Sequence, residues 1–222
     1  MKVKLINHTP NPELAIYFAA KTCYQAGSID DIQIPKEVEL KKFLYGLIKS
    51  GHTSTLEHAS FTFAIEGVSR VVTHELVRHR IASYSQQSQR YVSYDDIRPN
   101  CYYVPEAIKH DLTSLEVYNT AIMNAFVAYE ELMNAGVKPQ DARYVLPNVM
   151  PTQIVVTMNA RSLYNFFALR CCRRAQPEMQ DLANTMLHEC RKKAPILFAK
   201  AGRQCATCTE VHKPKECLNE AE

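Results

Sequence analysis

Alternating apolar and polar residues over 2–7 predict a short strand at the start of the chain. Two helical segments follow. In the second, Leu40, Phe43, Leu44, Leu47 and Ile48 recur at three- and four-residue spacing and the pattern stops at Gly51. A strand fits SFTFAIEG at 60–67, after which Ser69 can cap a helix running from about 70 towards 80. The longest helix is expected from near 111 to 135. It puts Leu115, Tyr118, Ile122, Phe126, Tyr129 and Met133 on one face, a stripe for the core or a subunit interface, and Gly136 ends it. Pro139 can open a short helix through Arg143, and a β-rich run at 152–158 leads into helices over about 161–173 and 178–192. Strands this few, with this much helix, predict an α+β fold: a small β-sheet flanked by helices, with a long helix in the middle of the chain.

Composition narrows the class. With 222 residues and 46% apolar content, the chain can bury one sizeable core, so a single domain is expected, carrying a cysteine-containing tail from about 195. The formal charge of only +3 argues against a nucleic-acid scaffold, so any basic site is local. Six glycines, no two within four residues of each other, exclude both G-x-G-x-x-G and the phosphate-binding P-loop. No apolar run reaches the roughly 18 residues of a membrane span, and the first residues turn polar after Ile6. A cytoplasmic protein without a membrane partner is expected. Its eight cysteines are then thiols or metal ligands sooner than a disulfide framework.

Charge is segregated. Residues 76–94 carry Arg78, His79, Arg80 and Arg90 without an acid, and residues 152–177 carry Arg161, Arg170, Arg173 and Arg174, again without one. Every lysine lies elsewhere. Arginine presents a planar fork suited to phosphate and to flat ring edges, whereas lysine is a hydrated point charge. Cations at helix C-termini also complement the macrodipole, which accounts for some of these positions. It does not account for Ser83, Ser85, Gln86, Gln87, Ser88, Gln89 and Arg90, a non-periodic run of donors and acceptors suited to a polar, phosphorylated ligand. On a helix Arg78 and Arg80 would point about 200° apart, implying two ligands or two ends of one, while Arg170 and Arg174 would share a face.

At RHRIASYSQQSQR, residues 78–90, the sequence resembles the flavin-dependent thymidylate synthase family, whose signature is Arg-His-Arg, seven residues, then Ser, here Ser88. The resemblance continues through GHTSTLEH at 51–58, DARYVLP at 141–147, NARSLYNFFALR at 159–170 and RAQPE at 174–178, and spans about residues 12–195. It implies a homotetramer with active sites at subunit junctions. Each site would bind FAD, deoxyuridine monophosphate (dUMP) and, in turn, NADPH and methylenetetrahydrofolate, to make thymidylate (dTMP). No nucleic-acid partner is implied and no cysteine nucleophile is needed.

Matched by motif, the family's flavin contacts fall on Ser54, Arg78, His79, Arg80, Gln86, Asn159, Ala160, Arg161 and Asn165. Its nucleotide contacts fall on Glu75, Leu76, Val77, Arg78, Gln86, Gln87, Ser88, Gln89, Arg90, Arg143 and Arg170. The resemblance gives Arg170 the catalytic role of favouring negative charge at N3 of the uracil ring, which suits a permanently charged guanidinium. Ser88 then reads as a phosphate-binding hydroxyl, since no acid or histidine neighbours it as a base. Glu75 stands where many relatives have Gln, Arg174 where some have His, and Ser85 where some have Asn. His52 resembles a residue near the folate and nicotinamide site.

Two features stand apart. Cys205 and Cys208 form C-x-x-C in the unmatched tail, with Cys190 and Cys217 available to complete a zinc site, against reduced thiols or a disulfide. No metal ligand is assigned. Tyr84, Tyr91 and Tyr94 can stack on flat rings or pack. The rival to an enzyme is a non-catalytic RNA- or nucleotide-binding module built on the arginine clusters.

Overall fold

The computed structural model describes residues 1–92, 102–209, 211 and 217. Tyr94, one of the stacking candidates, lies outside them. In chain order the elements are β1 (Lys2–His8), α1 (Pro12–Thr22), α2 (Glu37–Lys49), β2 (Ser60–Ser69), α3 (Arg70–Leu76), β3 (Ser83–Gln86), α4 (Glu106–Lys109), α5 (Leu112–Asn134), α6 (Pro139–Ala142), β4 (Pro151–Asn159), α7 (Ala160–Arg170) and α8 (Pro177–Lys193). Short 3-10 turns, among them Thr53–His58 and Cys205–Thr207, connect some of these. The strands form one sheet in the order β1-β2-β4-β3. Thr62 meets Thr157 side chain to side chain at 3.0 Å, and the Arg70 N–H donates to the Met150 carbonyl at 3.1 Å. Ascending along β2 therefore means descending along β4, an antiparallel register.

The expected α+β class stands, and the period-2 pattern of β2 and β4 does separate buried from exposed residues: Phe61, Phe63 and Ile65 in one strand and Ile154, Val156 and Met158 in the other point inward. Three expectations need correcting. The helix capped by Ser69 stops at Leu76, with Val77 as its cap, instead of running towards 80. Arg78, His79 and Arg80 therefore lie beyond the helix, and the argument from opposite helical faces does not apply to them. The helix expected to reach 173 ends at Arg170. The run beginning at Ser83, read as an irregular loop, opens with edge strand β3, because hydrogen bonding to a neighbouring strand needs no apolar alternation.

Two compact units emerge, neither continuous in sequence: residues 1–2, 65–78 and 85–154, and residues 3–64, 79–84 and 155–222. In the first, the face of α5 carrying Ile122, Phe126 and Tyr129 packs with Ala142 and Met150. The stripe expected on the long helix is thus core. Asp111 accepts the Ser114 N–H at 2.9 Å to start α5, and Gly136, at φ 83°, supplies the left-handed residue that ends it. In the second unit Phe61, Phe166, Phe167 and Phe198 are fully buried, with Phe198 edge-on to Phe61 and Phe167 at 5.3 and 6.0 Å between ring centres. Each such side chain contributes about 1.5–3 kcal/mol by leaving water.

Candidate active site

Within the first unit, Ser69 sits in extended backbone and its Oγ accepts the Val72 N–H at 3.1 Å, which fixes where α3 begins. The next two N–H groups, of Arg70 and Val71, donate to the carbonyls of Met150 and Asn148 at 3.1 Å each. Arg70 and His74, one turn apart, then line a cavity of about 360 Å³ with Gln89, Arg143, Tyr144, Leu146, Pro147 and Asn148. Among the described residues, the buried Nη1 of Arg70 has no hydrogen-bond partner. A buried donor left unpaired costs on the order of 1–3 kcal/mol, more when charged, so an acceptor brought to Arg70 would be favoured.

Gln140, outside that lining, contacts two of the arginines. Its backbone carbonyl accepts from Nε of Arg143 at 3.1 Å, and its side-chain oxygen takes a long contact from Nη2 of Arg90 at 3.5 Å. Arg90 also stands 5.4 Å from the ring centre of Tyr91, and its backbone N–H donates to Oγ of Ser88 at 3.2 Å. These contacts orient two guanidinium groups through neutral partners and leave their charge for an anion. Gln86 plays a scaffolding part: its amide donates to the hydroxyls of Thr73 and Thr152 at 3.0 and 3.4 Å. Gln89 is 7% exposed and joins the Arg70 cavity, whereas Gln87, held by the Gln153 carbonyl at 2.9 Å, lines a different hollow beside Met1, Lys2 and Glu66. Glu75 and Leu76 end α3, Val77 caps it and Arg78 follows. The Leu76 side chain is fully buried, so only its backbone can meet a ligand.

In the second unit Nε of Arg170 donates to Nε2 of His79 at 3.0 Å, and the His79 ring stands edge-on to Phe166 at 5.0 Å. Burial first, and the Arg170 charge second, hold His79 down to about 4, so at neutral pH it is the uncharged acceptor this bond requires. The Tyr84 hydroxyl donates to the His79 carbonyl at 2.8 Å, and burial pushes its pKa up to about 12. Tyr84 is thus a packing and bracing residue. Asn159 caps α7, its Oδ1 accepting the Ser162 N–H at 2.9 Å, and the buried Ala160 donates its N–H to Ala59 at 2.7 Å. Arg161 and Asn165, one turn apart, are exposed on α7. Arg161 pairs with Glu57 at 2.5 Å, which sets this face beside the 3-10 turn carrying Ser54.

That pair corrects the reading of Arg161 as a cation without an acidic partner: Glu57 is remote in sequence and near in space. Among the described residues neither Arg78 nor Arg80 has a carboxylate partner, and both are exposed. Arg170 and Arg174 do come together, on the wall of a cavity of about 620 Å³ and not along one helix. Sequence reasoning missed Arg70, His74, Glu57 and Gln140. Arg70 and His74 were within reach, as an arginine and a histidine spaced four apart immediately after a helix cap; Gln140 carries no signal of its own.

The family model described as "Thymidylate synthase complementing protein" matches residues 4–196. The chain belongs to this family. A flavin-dependent thymidylate synthase of Geobacter sulfurreducens is 47% identical over 209 residues, 93% of this chain and 89% of the relative. One from Clostridium tetani is 46% identical over 222 residues, covering 92% and 88%, and one from Pyrococcus furiosus is 43% identical over 211 residues, covering 92% and 86%. Among solved structures, the UMP/dUMP methylase PolB from Streptomyces cacaoi, bound with 5-Br dUMP, has a like fold at a TM-score of 0.78 and 24% identity, over 89% of this chain and 93% of that one. The expected membership of the flavin-dependent thymidylate synthase family is thereby borne out. Among the described residues no helix is long and apolar enough to cross a membrane.

Proposed function

We propose that the chain is a flavin-dependent thymidylate synthase that methylates dUMP to dTMP, with methylenetetrahydrofolate as carbon donor and FAD reduced by NADPH. Kinship with the named synthases over about nine-tenths of both chains carries this reading. In the first unit, the phosphate of dUMP is met by Arg90, Arg143, Ser88 and Gln89, to which Arg70 is added. Glu75, Leu76, Val77, Arg78, Gln86 and Gln87 supply the remaining nucleotide contacts. The orphaned Nη1 of Arg70 suits an anionic group: a phosphate oxygen would give it the acceptor it lacks.

Arg170 is the catalytic residue. A guanidinium edge beside the pyrimidine stabilises negative charge at N3, which makes the ring electron-rich without a covalent bond to the protein. His79, kept neutral, orients it. FAD, when bound, supplies hydride chemistry. Its anionic pyrophosphate suits the exposed Arg78 and Arg80, and Ser54, His79, Gln86, Asn159, Ala160, Arg161 and Asn165 complete the flavin site. The active assembly is a cytoplasmic homotetramer with sites at subunit junctions.

The protein as isolated is expected to be yellow, to bleach anaerobically with NADPH, and to recolour when dUMP and methylenetetrahydrofolate are added. A colourless protein that takes up no FAD yet binds oligonucleotides in a salt-sensitive way would replace this reading with the RNA-binding one. Arg170→Ala is expected to keep the flavin spectrum while turnover falls roughly a hundredfold or more.

A further inference from the structure

The family match ends at residue 196, and the tail beyond it carries Cys205, Cys208 and Cys217. All three line the cavity of about 620 Å³ in the second unit, and so does Cys172, two residues past the end of α7. The fourth ligand suggested by sequence, Cys190, is absent from that wall: it is fully buried in α8, and burial pushes its thiol far above the usual range. Cys171 points into the core as well, 6% exposed and pushed up to about 11. Folding thus exchanges Cys190 for Cys172.

From this convergence we propose that Cys172, Cys205, Cys208 and Cys217 bind one Zn²⁺ as a structural tetrathiolate that ties the C-terminal tail to the end of α7. Three features support it. The residues are all half-buried, as a closed structural site requires, in contrast to the exposed Cys23. The C-x-x-C is already a turn, with the Cys208 N–H donating to the Cys205 carbonyl at 3.3 Å and the Thr207 N–H to the Gln204 carbonyl at 3.3 Å. Arg170, Arg174 and Arg203 line the same wall, and positive charge there offsets the dianion that four thiolates make around Zn²⁺.

Among the described residues no group of three or more His, Cys, Asp or Glu side chains already stands at metal-binding separations. Binding therefore includes rotation of the thiols and closure of the turn to Zn–S distances of about 2.3 Å. The step balances without an oxidant: four thiols lose four protons to solvent, and Zn²⁺ with four thiolates carries a net charge of −2. Affinity consequently rises with pH.

The full-length protein, purified from zinc-supplemented culture and dialysed, is expected to hold stoichiometric zinc by elemental analysis and to release it to a mercurial reagent. Replacement by Co²⁺ is expected to give thiolate-to-cobalt charge-transfer bands and tetrahedral d–d absorption. Cys208→Ser and Cys217→Ser should each lose most of the metal while Cys23→Ser keeps it. Cys208→His, which retains a ligand, should keep metal with a shifted cobalt spectrum even if the serine variants fold poorly. Metal-free protein with all four thiols reactive, a disulfide consuming two of them, or equal metal loss in Cys23→Ser would overturn the proposal.

Discussion

Arg70 shows how a single side chain can belong to a site without belonging to a motif. Its backbone opens a helix, its buried Nη1 has no partner among the described residues, and its cavity is shared with Arg143 and Gln89. Because the phosphate does not react, its contact is equally strong in the ground and transition states. Arg70→Met is therefore expected to raise KM for dUMP by about tenfold to a hundredfold, the worth of one charged hydrogen bond, with kcat little changed. Steady-state kinetics that show an unaltered KM would remove Arg70 from the site. His79 makes the complementary case. Its folded pKa, near 4, lies below the unfolded value of about 6.5, so the unfolded chain binds the extra proton between those values. Its stabilising contribution is fully present above about pH 6.5 and is lost as pH falls towards 4. Melting temperatures measured across that window should decline with acid, and less steeply in His79→Asn; identical slopes would mean another group is responsible.

At the scale of elements, α3 is the piece on which the nucleotide side of the proposed site depends. Seven residues are too few to hold a helix by propensity alone, so the cap at Ser69 and the ties to Met150 and Asn148 determine its position. Ser69→Ala is expected to cost about 1 kcal/mol, read as a lower midpoint in urea at unchanged slope, and to weaken dUMP binding as Arg70 loses its station. A variant as stable as the parent would show that the tertiary ties suffice. Its early end is what frees Arg78, His79 and Arg80 from helical geometry. The signature thus runs as a bend from α3 into β3, a path that hydrophobic periodicity could not foresee.

For the molecule as a whole, the predicted site residues divide between two compact units, with Glu75, Arg90 and Arg143 in one and Ser54, His79, Arg161 and Arg170 in the other. The tetramer proposed above would bring copies of these groups to shared junctions. Exposed apolar residues on α5, Leu112 at 82% and Val117 at 66%, are available for such contacts, since its Ile122–Tyr129 face is already spent on the core. Light scattering coupled to gel filtration is expected to give about four times the 25.3 kDa chain mass. A monomer that turns over dUMP at full rate would refute the shared-junction arrangement.

The one-dimensional chain determined its strands and long helices, because burying an apolar face imposes a period of 2 or 3.6 that residues carry locally. It also determined its family, through motif blocks that need no coordinates. Tertiary structure alone decided where charge is neutralised and which thiols share one cavity wall. Glu57 reaches Arg161 from more than a hundred positions away, and Cys172 takes the place that spacing had offered to Cys190. Electrostatics and ligation act through distance in space, and that distance is set only when the strands pair and the cores close.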